Sequence, residues 1–100
     1  MLQAPMKEIE PILPNNLKEY RIRRLISVET LARAIGRAPR TIWEWQKGDY
    51  VPKLDNALRL SAALMVPVEV LFLDRFKYRE AGMHERIRML QDRRPQRHKY

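Results

Sequence analysis

The sequence contains no cysteine, which excludes disulfide bonds, thiolate zinc sites and catalysis by a cysteine nucleophile. No stretch approaches the roughly 20 continuous apolar residues that a membrane-spanning helix needs. The first residues also lack the charged start and the long apolar run of a secretory signal. We therefore expect a cytoplasmic protein that makes no contact with a membrane.

Glycine is scarce, with 3 residues in 100, and none of them forms a glycine-rich phosphate loop. The sequence has no nucleophile elbow and no paired carboxylates in a recognisable setting. Its two histidines, His84 and His98, lack partners at metal-ligand spacing. We predict no enzymatic activity, no metal site and no cofactor.

Positive charge is abundant. Twenty Lys and Arg face twelve Asp and Glu, which gives a net charge of +8 and a pI near 10.3. Such a balance favours a polyanionic partner, most simply double-stranded DNA. The length of 100 residues and the hydrophobic share of 45% fit one modest core with short appendages.

The arrangement of prolines and apolar residues predicts an all-α protein. Pro5, Pro11 and Pro14 forbid a regular helix within residues 1–15 and favour an extended N-terminal arm. Beyond the arm, apolar residues at helical spacing predict five helices. We expect these helices at about 17–26, 28–35, 39–47, 54–65 and 68–72.

Local signals mark the ends of the second and third helices. Ser27 is a good N-cap, and Gly36 supplies the left-handed residue that ends a helix. Pro39 suits the first position of the third helix, although Ala38 before it offers no capping side chain. Gly48 stops that helix after Lys47.

Residues 74–100 form a basic C-terminal extension. Met83, Ile87 and Leu90 have the i, i+4, i+7 spacing of an amphipathic helix, which we expect at about 80–91. We predict that this stripe mediates homodimerisation, with folding back onto the same chain as the alternative. Residues 93–100 are basic without apolar periodicity, so we expect a mobile tail that either contacts DNA or stays solvated.

Two helices joined across residues 36–38 form a helix-turn-helix. At this point the chain resembles the Cro and lambda-repressor-like (XRE-type) helix-turn-helix domains over about residues 16–73. The resemblance implies a compact five-helix bundle that binds DNA, often as a dimer on a two-fold-symmetric operator. It rests on Ser27-Val-Glu-Thr-Leu-Ala-Arg-Ala-Ile-Gly, Thr41-Ile-Trp-Glu-Trp-Gln-Lys-Gly, Pro52-Lys-Leu-Asp-Asn-Ala-Leu-Arg-Leu and Val68-Glu-Val-Leu-Phe.

The chain departs from the family pattern at three places. Ala38 stands where members usually carry a Ser or Thr cap. Val28 stands where a polar residue often contacts phosphate. Arg21 matches the family's structural arginine, but its usual acidic partner is Gln46 here.

The third helix can also be interpreted by geometry alone. At about 100° per residue, Trp43 and Lys47 share one face, while Ile42 and Trp45 point to the opposite side and serve the core. A large exposed ring usually signals a contact, so we expect Trp43 to meet either DNA or a protein partner.

Arg40 and Glu44 lie on the same face as Trp43. We predict that Arg40 donates two hydrogen bonds to a guanine, and that Glu44 accepts from cytosine or holds Arg40. Pro39 could touch a thymine methyl, and Thr41 could bond a base or a phosphate. The predicted base contacts are Pro39, Arg40, Thr41, Trp43 and Glu44, and the predicted phosphate contacts are Arg37, Lys47, Tyr50 and Lys53.

These features predict a sequence-specific DNA-binding transcriptional regulator, a repressor that occupies an operator through the helix at about 39–47. One alternative within this class is an antitoxin that regulates its own operon and grips a toxin. The alternative from another class is a protein-interaction module on the same scaffold.

Overall fold

The structure, a computed structural model, describes residues 12–92. The regular elements in this part of the chain are all α-helices, which confirms the predicted all-α class. The predicted arm up to residue 11, the predicted tail at 93–100 and His98 lie outside the described residues. The helices are α1 Leu17–Arg23, α2 Val28–Ile35, α3 Pro39–Lys47, α4 Leu54–Leu64, α5 Val68–Leu71 and α6 Leu73–Asp92.

The ends of α2 and α3 follow the local signals in the sequence. The Ser27 hydroxyl accepts a hydrogen bond from the backbone N–H of Thr30 at 3.0 Å. Gly36 and Gly48 end the two helices in the left-handed region, with φ of 83° and 86°. Ala38 precedes α3 with no side-chain capping bond. Both boundaries of each helix therefore agree with the prediction.

Gly48 has a second reason to lack a side chain. A Cβ atom at this position would lie 2.8 Å from the carbonyl oxygen of Leu13, closer than such atoms approach one another in proteins. The polypeptide around Leu13 therefore passes directly over the end of α3. Only glycine satisfies both the positive φ and this close approach.

One hydrophobic core collects side chains from α1 to α5, whereas no residue of α6 is buried. Each of the first five helices is short, so its stability depends on this packing rather than on helix propensity. The core consists of Leu17, Val28, Leu31, Ala32, Ile35, Ile42, Trp45, Ala57, Leu60, Leu64, Leu71 and Phe72.

Helical spacing in α4 predicts a buried side made of Leu54, Ala57, Leu58, Leu60, Ser61 and Leu64. This prediction is wrong for Leu54 and Leu58, which are both exposed. The helix carries more apolar residues than one stripe can bury, and Leu60 and Leu64 lie at the centre of the face that meets the core. Leu54 and Leu58 lie on the flank of that face.

Two other helix boundaries differ from the prediction. The first helix was expected to reach Ile26 but ends at Arg23, because Leu25 takes a left-handed conformation with φ of 58°. The C-terminal helix was expected at about 80–91 but already begins at Leu73. It follows α5 after a single break at Phe72, where φ is −119°. Among residues 12–92, no helix is both long enough and apolar enough to cross a membrane.

The two tryptophans of α3 should respond differently to truncation. Trp45 is 6% exposed and belongs to the core, whereas Trp43 is 46% exposed. We expect Trp45→Ala to lower the free energy of unfolding by about 3–5 kcal/mol, because it leaves a cavity. Trp43→Ala should leave the melting temperature nearly unchanged. Denaturation followed by circular dichroism measures both, and a larger loss for Trp43→Ala would mean that α3 is rotated.

Candidate nucleic-acid interface

Helices α2 and α3 are joined by a tight turn at residues 36–38. The carbonyl oxygen of Ala32 accepts hydrogen bonds from the backbone N–H groups of Gly36 at 2.8 Å and Arg37 at 2.9 Å. These bonds close the end of α2 and fix the direction of the chain before α3 starts. Because Ile42 and Trp45 are buried, the opposite side of α3 must face outward.

This outward side, which we call the α3 face, consists of Arg40, Trp43, Glu44 and Lys47. Nε of Arg40 lies 3.3 Å from Oε2 of Glu44, one helical turn away, and the Arg40 side chain is 86% exposed. An exposed ion pair of this kind contributes little to stability. The Arg40 guanidinium can therefore turn from Glu44 toward a partner at small cost.

Trp43 borders an open depression with a volume of about 490 Å³. Arg40, Glu44 and Lys47 line the same depression, so the whole α3 face surrounds it. Ile12, exposed and close to the start of the described residues, also lines it. The proximity of Ile12 to the α3 face was not predicted, since nothing in the sequence connects positions so far apart.

The residues predicted to contact phosphate lie around the same helix. Arg37, Tyr50 and Lys53 line a second depression of about 360 Å³, together with Thr41. The Lys47 ammonium lies on the other side, 3.6 Å from Oδ2 of Asp49.

The remaining predicted site residues fall in two places. Pro39 is exposed at the first position of α3, next to Arg40. Met83, Ile87 and Leu90, predicted to mediate dimerisation, are exposed on α6 and line neither of the two depressions beside α3. The structure therefore brings the predicted DNA contacts together on and beside α3, while their roles stay predictions.

Polar contacts also hold α3 in place on the side opposite the α3 face. Nε of Arg21 donates to Oε1 of Gln46 at 2.9 Å, and Nη1 of Arg21 donates to the carbonyl oxygen of Ile26 at 2.9 Å. Arg21 is 9% exposed, so these bonds satisfy a cation that lies largely out of water. The resemblance pointed to this arginine, and the structure gives it an amide oxygen as partner.

Asn15 makes a contact that the sequence analysis missed. Its side-chain nitrogen donates to the carbonyl oxygen of Trp45 at 2.8 Å, while its Oδ1 accepts from the backbone N–H of Leu17 at 3.0 Å. The second bond, to the residue two positions on, is an Asx turn that leads into α1. The first bond spans 30 positions and leaves no signal in the sequence. Asn15 thereby ties the start of α1 to the last turn of α3.

Within residues 12–92, no group of three or more His, Asp or Glu side chains is arranged to hold a metal ion. The polar groups around α3 include cations, hydroxyls and two carboxylates, Glu44 and Asp49, each of which pairs with a cation. Their chemistry suits an anionic polymer, because cations bind phosphate oxygens and the exposed arginine can reach the edge of a base.

No family model matches the chain. The chain is similar to a curated protein of Bacillus subtilis (strain 168), described as the uncharacterized HTH-type transcriptional regulator YgzD. The two are 37% identical over 60 residues, which make up 60% of this chain and 91% of that protein. The similarity therefore covers nearly the whole of the Bacillus protein.

The support of α3 by Arg21 can be tested at Gln46. Gln46→Leu should lower the free energy of unfolding by about 1–3 kcal/mol, because the buried Nε of Arg21 loses its acceptor. Gln46→Glu is the matched control, since its carboxylate accepts the same bond and hydrogen bonds to ionised groups are stronger. Urea unfolding compares the variants. Equal stability of the leucine variant and the wild type would contradict a supporting role for this bond.

Proposed function

The chain belongs to the helix-turn-helix type transcriptional regulators, and we propose that it is a sequence-specific repressor of the Cro and lambda-repressor-like (XRE-type) group. In this proposal α3 enters the major groove of an operator. The observation that carries it is the α3 face: three charged side chains and the half-exposed ring of Trp43 on a helix whose other side is fixed in the core.

Arg40 is the proposed base-reading residue. It lies one position after the start of α3, and recognition helices use their N-terminal residues to contact base edges. Its guanidinium carries parallel donors that match O6 and N7 of guanine. Glu44 then either accepts from a cytosine or keeps Arg40 in place. Pro39, Thr41 and Trp43 complete the surface that meets the bases.

Arg37, Lys47, Tyr50 and Lys53 are the proposed phosphate contacts. They flank α3 on both sides, as expected for groups that grip the two backbones bordering a groove. Such contacts fix the position of α3 without selecting a sequence. A bound repressor needs no further chemistry, because occupying the operator excludes other proteins from it.

A two-fold-symmetric operator requires two copies of the chain. We propose that Met83, Ile87 and Leu90 on α6 supply the contact between them. A dimer would present two α3 helices about one DNA turn apart, roughly 34–36 Å, and would predict a palindromic site.

A protein-interaction module is the second candidate function. Two observations favour it: the large exposed ring of Trp43, and the burial of Val28, which leaves the start of α2 without a polar side chain for phosphate at that position. An antitoxin that binds both its operator and a toxin would combine the two candidates.

Salt dependence of DNA binding separates these candidates. If the three cations beside α3, Arg37, Lys47 and Lys53, meet phosphates, the logarithm of the association constant should fall linearly with the logarithm of salt concentration. The slope should be about 0.9 for each phosphate neutralised. Binding to random-sequence duplex DNA is measured by fluorescence anisotropy at several salt concentrations. A chain that shows no binding even at low salt is not a DNA-binding protein, and the interaction module then takes precedence.

Arg40→Ala tests the reading of a base. On an operator selected with the wild-type protein, the variant should lose about 1–3 kcal/mol and relax the preference at one base pair. Arg23→Ala is the matched control, because Arg23 is also exposed and also pairs with a glutamate one turn away, Glu19. Both variants lose one positive charge, so only Arg40→Ala should lose specificity. Equal binding of the operator by both variants would overturn the assignment.

A further inference from the structure

Helix α6 presents an apolar face that the rest of the described residues leave largely exposed beyond its first turn. The face consists of Leu73, Phe76, Met83, Ile87 and Leu90. Together with Glu80, these residues are spaced alternately three and four positions apart. This is the spacing of a helix that packs along a partner helix. Phe76, Met83, Ile87 and Leu90 are each about half exposed.

The helix also needs a partner for its own stability. Most helical stability in proteins comes from tertiary packing rather than from propensity, and Gly82 in the middle of α6 costs roughly 1 kcal/mol relative to alanine. None of its 20 residues is buried. The bundle formed by α1 to α5 therefore does little to hold its C-terminal half in place.

An apolar groove with a volume of about 440 Å³ lies beside the first turns of α6. Val51, Leu54, Val68, Phe72 and Phe76 provide its apolar lining, and its charged residues lie at Glu69, Arg75 and Arg79. Phe76 belongs to the groove and to the apolar face of α6 at once. The two surfaces are therefore one continuous apolar strip.

We propose that the occupant of this strip is α6 of a second copy of the chain, packed antiparallel, with the partner's Ile87 and Leu90 inserted at the groove. The helix cannot fill the groove with its own C-terminal half: at 1.5 Å per residue, a straight helix carries Leu90 about 25 Å away from Leu73.

The antiparallel orientation follows from Glu80. In a parallel pair, the two Glu80 carboxylates would meet at the same level of an apolar seam, where like charges are costly. In the antiparallel pair, Glu80 faces the partner's Met83. The same alignment places Phe76 opposite the partner's Ile87 and Leu73 opposite the partner's Leu90, so the apolar residues toward both ends of the strip meet one another.

The charge of α6 permits self-association. Five Lys and Arg and four Asp and Glu lie within residues 73–92, so the helix carries little of the chain's charge of +8. Lys77, Arg79 and Arg86 flank the apolar face, and two copies would bring these exposed cations near one another. Salt screens such repulsion. Dimerisation should therefore strengthen as salt rises, which is opposite to the response of DNA binding.

Cysteine cross-linking tests the orientation in the full chain, which offers a cysteine-free background. Phe76→Cys and Ile87→Cys chains, mixed under oxidising conditions, should form a covalent dimer, while each variant alone should not. Cross-linking of either variant with itself would overturn the antiparallel arrangement. No cross-link in any combination would overturn the interface.

Charged substitutions test the groove. Leu54→Asp should weaken dimerisation by more than about tenfold, because it places a carboxylate at the apolar contact. Met65→Asp is the matched control, since both leucine and methionine are 71% exposed and Met65 does not line the groove. Sedimentation equilibrium gives the dissociation constants, and circular dichroism checks that both variants stay folded. Equal dimerisation of the two variants would overturn the role of the groove.

The two proposals fail in distinguishable ways. A full-length chain that stays monomeric at high micromolar concentration and high salt overturns the proposed interface, whatever its affinity for DNA. A chain that dimerises as described but does not bind DNA overturns only the proposed function.

Discussion

The burial of Trp45 and Ile42 is the constraint on which the rest of this structure depends. Helix α3 has nine residues, too few for a stable helix without tertiary packing. Packing against the core therefore determines both that these residues form a helix and which side of the helix faces solvent. Two residues along a helix correspond to about 200° of rotation, so burying Trp45 turns Trp43 outward. The contact that folds the helix also presents Arg40 to solvent.

Polar contacts then fix α3 relative to the far end of the bundle. The side chain of Asn15 binds the carbonyl oxygen of Trp45, and the backbone and side chain of Asn16 bind the carbonyl oxygens of Leu71 and Val70, all at 2.8 Å. Helix ends leave carbonyls without intrahelical partners, and these two asparagines supply donors. Because α6 begins just after Leu71, the pair connects the α3 face to the helix proposed to join two copies.

The parts of the fold that could be predicted from the sequence are those whose cause is local. Ser27, Gly36, Pro39 and Gly48 each act on the backbone within three positions of their own, and the predicted boundaries of α2 and α3 agree with the structure. The outward face of α3 was also predictable, because its two core residues have the spacing of one helix side. A residue's own chemistry is sufficient in these cases.

The parts of the fold that could not be predicted depend on contacts between residues that are distant in the sequence. Leu54 and Leu58 look as apolar as Leu60, and only the position of the core decides which of them is covered. Asn15 looks like an ordinary helix cap, and nothing near it indicates a bond to Trp45. The roles of the site residues also depend on a partner, so geometry alone limits them to proposals.

The distribution of charge links the two proposed associations. Ten Lys and Arg against six Asp and Glu lie within residues 12–72, a net charge of +4, whereas α6 is nearly balanced. An apolar contact on α6 therefore lies outside the most positively charged part of the chain. Two chains that each carry a net charge of +8 nevertheless repel one another. DNA that neutralises the cations around α3 removes part of that repulsion. Coupling of this kind is reciprocal, so under the two proposals a copy already bound to a half-site should recruit the second copy more tightly than free protein does.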